Sequence, residues 1–226
     1  MQATYVLGLD VGPPGEPTGL AILERPAYDK PPREPEYHLR HAERFTPGTS
    51  YPAIIDSVVA RGRSAGISGC PLVIDQTAVG PTFIQQFWKA ESGLYVIPLS
   101  VTAGQSIQKS EDGTEMVPKR DLVTALQMAL QNHRLKIAPD LLHANLLTAE
   151  LAQFRLRRVP MSETANLEWR EGRHDDLVFA VALAVWYADC HPPLGPDSIR
   201  SGGGLRFPPG VFRTAVRDPT TKRWRV

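Results

Sequence analysis

At 226 residues, 42% hydrophobic and 22% charged, the chain is long enough for one large domain with a real core, and its composition excludes a disordered or fibrous protein. Lys plus Arg is 25 and Asp plus Glu is 24, which excludes a globally basic nucleic-acid binder, so any polyanion contact must come from local patches. The two cysteines, Cys70 and Cys190, have no metal-ligand spacing and are expected as two packed thiols in a reducing compartment. The opening MQATYVLGLDVG reads as a strand rather than a secretory leader, and no uninterrupted run approaches a membrane span of about 20 apolar residues, so a cytoplasmic location is expected.

TYVLGLD (4–10) is a short continuous apolar run, as in a central strand. After a Gly/Pro loop, TGLAILE (18–24) reads as its hairpin partner. A Pro-rich surface excursion (24–37) leads into EYHLRHAERF (36–45), a third strand. Residues 51–66 show helical spacing, CPLVIDQ (70–76) is a buried strand, 81–93 a helix and LYVIPLS (94–100) a fifth strand. Asp112-Gly113 marks a hairpin tip. Helices are expected over 118–134, where Leu122, Leu126 and Leu130 recur, and over 139–157, with a strand over 166–171. Strands first, then alternating strand and helix, then a closing helix, give an α/β fold: a mixed central sheet flanked by helices.

That closing helix lies in EGRHDDLVFAVALAVWYA (171–188). From Leu177 to Ala188 its polar side-chain groups are a tyrosine hydroxyl and the Trp186 indole N–H alone, so it is buried on nearly every side. Asp175 and Asp176 stand at its entrance. A capping role explains one of them well, because acids suit a helix N-terminus. The domain is placed at 1–190. Residues 191–226 read as a Pro/Gly-rich linker and a basic tail, in which Arg200, Arg206, Arg213, Arg217, Lys222, Arg223 and Arg225 interleave with Phe207, Phe212 and Trp224. Such a tail suits DNA contact by charge and stacking.

Asp10 and Asp75 each end a buried apolar run and precede a glycine-bearing loop. A carboxylate at a central strand's end is poorly solvated and needs a cation or a donor. Alone, each reads as a turn-initiating Asp. With the Asp175–Asp176 pair they form a set of hard oxygen ligands for divalent ions. Two such ions about 3.5–4 Å apart suit phosphodiester cleavage, activating a water and stabilising the leaving oxygen.

The order strand-Asp, hairpin, strand-acid and last-helix acid resembles the RNase H-like nucleases. VIDQTAVG, MVPKRDLVTALQMALQNHRLKI, ELAQF and GRHDDLVFAVALAVW together look like the nuclease domain of phage terminase large subunits, from about Tyr5 to Trp186. The resemblance implies an RNase H-like mixed sheet and a two-metal, Mg²⁺- or Mn²⁺-dependent endonuclease acting on double-stranded DNA. It assigns Asp10, Asp75 and Asp176 as catalytic metal ligands, with Asp175 as cap or outer ligand, since consecutive helical residues point about 100° apart. Glu16 is a candidate accessory ligand. Lys119, Arg120, His174 and Arg223 are candidate DNA contacts, and Glu150 is read as structural. For a phage-derived chain a packaging ATPase or portal would be further partners, although no GxxxxGK[ST] motif is found here.

Two other readings compete. GLDVG…TGLAIL is also similar to the opening of RuvC-type Holliday junction resolvases. LDVGPPGEPTG faintly resembles the first phosphate loop of actin-like ATPases and sugar kinases, but a second Gly-rich loop is missing. On charge repulsion alone, Asp176→Asn is expected to leave metal-free stability unchanged or higher.

Overall fold

The computed structural model describes residues 4–28, 34–64, 66–111, 113–153, 175–191, 216–217 and 224–225. The chain opens with three strands, β1 (Thr4–Asp10), β2 (Thr18–Arg25) and β3 (Tyr37–Phe45), then α1 (Tyr51–Gly62), β4 (Pro71–Asp75), α2 (Gly80–Lys89) and β5 (Tyr95–Thr102). A short antiparallel hairpin of β6 (Gln108–Lys109) and β7 (Glu115–Pro118) follows, with Gly113 at φ +84° at its tip. Next come α3 (Lys119–Gln131), β8 (Leu135–Ile137), α4 (Ala144–Gln153) and α5 (Asp176–Cys190). A two-stranded ribbon pairs β9 (Val216–Arg217) with β10 (Trp224–Arg225).

Eight strands form one mixed sheet in the order β6-β7-β5-β4-β1-β2-β3-β8. β1 is central, antiparallel to β2 and parallel to β4. Strand alternation sorts the apolar side chains between two faces. Leu7, Leu9, Leu72 and Ile74 pack with Ile54, Val58, Phe83 and Phe87 of α1 and α2. Val6, Ala21, Val73 and Leu99 pack with α3, α4 and α5 on the other face. The expected mixed α/β sheet flanked by helices is the observed architecture.

α5 is buried from Leu177 to Trp186 and lies across β1 and β2. Its approach depends on glycine. A Cβ on Gly8 would stand 2.0 Å from the Ala180 carbonyl oxygen, and one on Gly19 would stand 2.2 Å from that of Asp176. No longer residue fits at either position without moving the helix.

Several boundaries differ from the sequence expectation. α1 stops at Gly62, where the N–H of Arg63 closes on the Val59 carbonyl. α4 starts at Ala144, because residues 138–143 form turns that end at His143 with φ +90°. β8 was not expected; it pairs in parallel with the edge strand β3. Both cysteines are free thiols, but Cys190 is exposed rather than packed, because it falls at the last residue of α5 beyond the buried stretch. The strand expected over 166–171 lies outside the described residues. Among the described residues, no helix is long and apolar enough to cross a membrane.

Candidate metal centre

Strand register brings the predicted acids together. Asp10 pairs directly with Asp75 across the parallel β1–β4 ladder, and with Gly19 across β1–β2. Gly19 in turn pairs with Arg44 on β3, and Asp75 with Leu99 on β5. Paired residues share a face, so Asp75, Asp10, Gly19 and Arg44 form one row across four strands. Leu99 belongs to the α5-side core and Gly8, two residues from Asp10, touches α5, so the row faces α5. The missing side chain of Gly19 leaves the gap in which the Asp176 carbonyl rests. Asp176 thereby starts α5 above the row, between Asp10 and Arg44.

Asp75 and Asp176 are each held by a neighbouring group. Asp75 is buried, and its Oδ1 accepts the Thr77 backbone N–H at 2.8 Å and the Thr77 hydroxyl. That hydroxyl accepts the Val101 N–H at 2.8 Å, which ties the loop after β4 to β5. Asp176 Oδ2 accepts from Arg44 Nη2 at 2.9 Å. Asp175 occupies the N-cap position of α5, yet its side chain makes no capping hydrogen bond. The capping explanation therefore accounts for its place and not for its carboxylate.

Two residues outside the predicted set complete the arrangement. Arg44 Nη1 lies 3.5 Å from Glu150 Oε1, so one guanidinium links β3 to α4 and α5. Glu150 is 7% exposed, and its Oε2 accepts the Val178 N–H at 3.4 Å. Among the described residues its buried Oε1 accepts no hydrogen bond. Burial pushes this carboxyl up to about 7, with Arg44 pulling in the other direction. Glu150 thus meets the first turn of α5, the helix that carries Asp176.

The remaining candidates are placed as follows. Glu16 is exposed on the turn between β1 and β2, where its N–H meets the Pro13 carbonyl. Lys119 opens α3 and holds its Nζ 4.1 Å from the centroid of the Phe179 ring, one turn along α5 from Asp176. Arg120 is exposed and turned to Gln105 and Asp121. His174 and Arg223 lie outside the described residues.

Among the described residues, no group of three or more His, Cys, Asp or Glu side chains is gathered closely enough to hold a metal ion. The backbones that carry Asp10, Asp75 and Asp176 are nevertheless adjacent. The donor chemistry, three carboxylates on neighbouring backbones, fits a hard divalent cation.

No protein-family model matches the chain, and no curated protein is significantly similar to it. Solved structures do match. The large terminase nuclease of thermophilic phage G20c is 20% identical with a TM-score of 0.56, over 82% of this chain and 82% of that one. The same nuclease with bound magnesium gives 21% identity and a TM-score of 0.55, over 81% and 80%. The human cytomegalovirus terminase nuclease domain is 13% identical with a TM-score of 0.51, over 83% and 85%. With its eight-stranded mixed sheet, its helices on both faces and this likeness over four-fifths of its length, the chain has the RNase H-like fold of terminase nuclease domains.

Proposed function

We propose that the chain is a divalent-metal-dependent endonuclease that cuts double-stranded DNA, with two Mg²⁺ or Mn²⁺ ions held by Asp10, Asp75 and Asp176. The observation that carries this reading is the direct pairing of Asp10 with Asp75 on the face where Asp176 begins α5. It is supported by solved relatives of the same fold that carry bound zinc or magnesium, or were soaked with manganese.

Bound ions would supply Lewis acidity, making water a better nucleophile and neutralising phosphate charge. The chain's own residues position the ligands. Asp10 stands on a central strand bonded on both sides. Thr77 fixes the rotamer of Asp75, and Arg44 that of Asp176. Asp175 and Glu16 serve as outer or accessory ligands in this reading. Lys119, Arg120 and His174 from the domain at 1–190, together with Arg223 of the basic tail at 191–226, contact the DNA backbone. For a phage-derived chain, a packaging ATPase or portal would be the partner that presents the DNA.

The test is incubation of the full chain with plasmid DNA in Mg²⁺, Mn²⁺, Ca²⁺ or EDTA. Nicking and linearisation in Mg²⁺ or Mn²⁺, abolished by EDTA, is the expected result. Undiminished cutting in EDTA overturns the metal mechanism, and no cutting of linear, supercoiled or branched DNA in Mn²⁺ overturns the nuclease reading.

A further inference from the structure

Arg44 is the one strand residue in the Asp75–Asp10–Gly19–Arg44 row whose side chain carries positive charge. It reaches over the gap at Gly19, and its guanidinium meets Asp176 Oδ2 at 2.9 Å and Glu150 Oε1 at 3.5 Å. All three side chains are largely enclosed, with exposures of 17% for Arg44, 14% for Asp176 and 5% for Glu150. A guanidinium presents its donors in a rigid plane. Glu150 is itself fixed, because its second oxygen accepts the Val178 N–H.

We infer that Arg44 is a positioning residue: anchored by Glu150, it sets the orientation of the Asp176 carboxylate and thereby how tightly the site takes divalent cations. This rests on the nuclease reading above. An aspartate in the first turn of a helix has two side-chain torsions to order. Binding a metal through an unordered carboxylate costs that entropy at the moment of binding. Arg44 orders it in advance from a strand that belongs to the rigid sheet. Partners that orient a metal ligand in this way are each worth about 10–100-fold in metal affinity. The opposing effect is repulsion between the guanidinium and an incoming cation, which would make Arg44 a competitor. Glu150, in its ionised form, offsets that repulsion, since its Oε1 lies 3.5 Å from Nη1 of the same guanidinium.

The experiment compares the full chain with Arg44→Gln, Arg44→Lys and Glu150→Gln. Mn²⁺ binding is measured by titration calorimetry, and cleavage rate is measured against Mn²⁺ concentration. For Arg44→Gln, Mn²⁺ affinity should fall about 10–100-fold. The Mn²⁺ concentration for half-maximal cleavage should rise by the same factor, while the rate at saturating Mn²⁺ stays within a few-fold. Arg44→Lys should recover part of the affinity, because an ammonium still donates to Asp176 but cannot span both acids. Glu150→Gln should show a smaller loss in the same direction. Melting curves in EDTA identify any variant that fails to fold, in which case the two conservative variants decide. Mn²⁺ affinity that is unchanged or tighter in the folded variants overturns the inference and makes Arg44 a structural bridge or a competitor. If the parent binds Mn²⁺ but cuts no DNA, the nuclease reading fails while the affinity comparison still decides for or against Arg44. If the parent binds no Mn²⁺, both fall.

Discussion

Asp10 and Asp75 are direct partners across the parallel pair at the centre of the sheet, so two carboxylates face one side from backbones a single strand spacing apart. That spacing is about 4.8 Å. Replacing either by Asn keeps the shape and removes one charge from the proposed cation site. Cleavage of plasmid DNA in Mn²⁺ should drop by about 100-fold or more, the scale seen when one preorganised electrostatic partner is lost. The fold should hold. In the Asp75→Asn variant the amide oxygen can still accept from the Thr77 N–H and hydroxyl. Paired rate and melting measurements check this; a fully active variant at either position would remove that residue from the site.

Asp176→Asn separates chemistry from stability in a different way than sequence alone suggests. Crowded carboxylates by themselves predict unchanged or higher metal-free stability. The structure supplies a partner, Arg44, at 2.9 Å in a largely enclosed setting. Losing a charged hydrogen bond of this kind costs about 1–3 kcal/mol. Melting in EDTA should therefore shift down by a few degrees for Asp176→Asn, with cleavage abolished. Asp175→Asn should change both less, since Asn suits an N-cap position as well as Asp does and Asp175 is an outer ligand in the proposed site. A rise in the Asp176→Asn midpoint would show that repulsion outweighs the Arg44 bond.

The strands that carry Asp10 and Asp75 were legible because each is a local apolar run that ends in an acid, and α5 because it is apolar all round. Those signals need only neighbouring residues. Arg44 escaped notice because its partner Asp176 lies 132 residues away, and nothing near Arg44 distinguishes it from other charged residues on an exposed-looking strand. Its signal exists only once the register Asp10–Gly19–Arg44 is known. Glu150 was readable as the one acid of α4, but not the helix end it would support. β8, three residues long, carries too short a pattern to be told from a turn, and its pairing with β3 spans almost 100 residues of sequence.

Gly8 and Gly19 are where α5 lies closest to the sheet, and the two contacts differ in consequence. An alanine Cβ at either would overlap a helix carbonyl. Forcing extra volume into a packed contact costs about 1–3 kcal/mol, and occasionally more. Both Gly8→Ala and Gly19→Ala should lower the melting midpoint clearly. Gly19→Ala should also cut the cleavage rate of the protein that remains folded, because it displaces the turn that bears Asp176. Gly8→Ala meets α5 further along, at Ala180, and should spare more activity. Equal residual activity in the two variants would argue that Asp176 is not held through Gly19.

The basic, aromatic-bearing stretch after Pro192 is proposed to add DNA affinity without adding catalysis. Removing it should weaken binding and flatten the dependence of affinity on salt, since fewer phosphates would be neutralised and fewer counterions released. Cleavage at saturating DNA should stay close to that of the parent. Binding isotherms at several salt concentrations test this. An unchanged salt slope would leave the tail no part in DNA contact.

Glu150 gives metal-free stability a specific dependence on pH. Burial raises its carboxyl from 4.5 to about 7, so between those values the folded chain binds a proton that the unfolded chain has released. Stability from this group is therefore fully present below pH 4.5 and is lost as pH rises through 7. Glu150→Gln keeps an oxygen to accept the Val178 N–H and never ionises, so it lacks this loss. The variant gives up its charge attraction to Arg44, which lowers its stability where the parent is ionised and opposes the gain. Because burial outweighs Arg44 in the parent, the midpoint of Glu150→Gln minus that of the parent should increase from pH 5 to pH 8 in EDTA. The check is a series of melting curves at half-unit steps. Parallel curves would mean that Glu150 is ionised throughout, held so by Arg44, and that burial does not govern its proton.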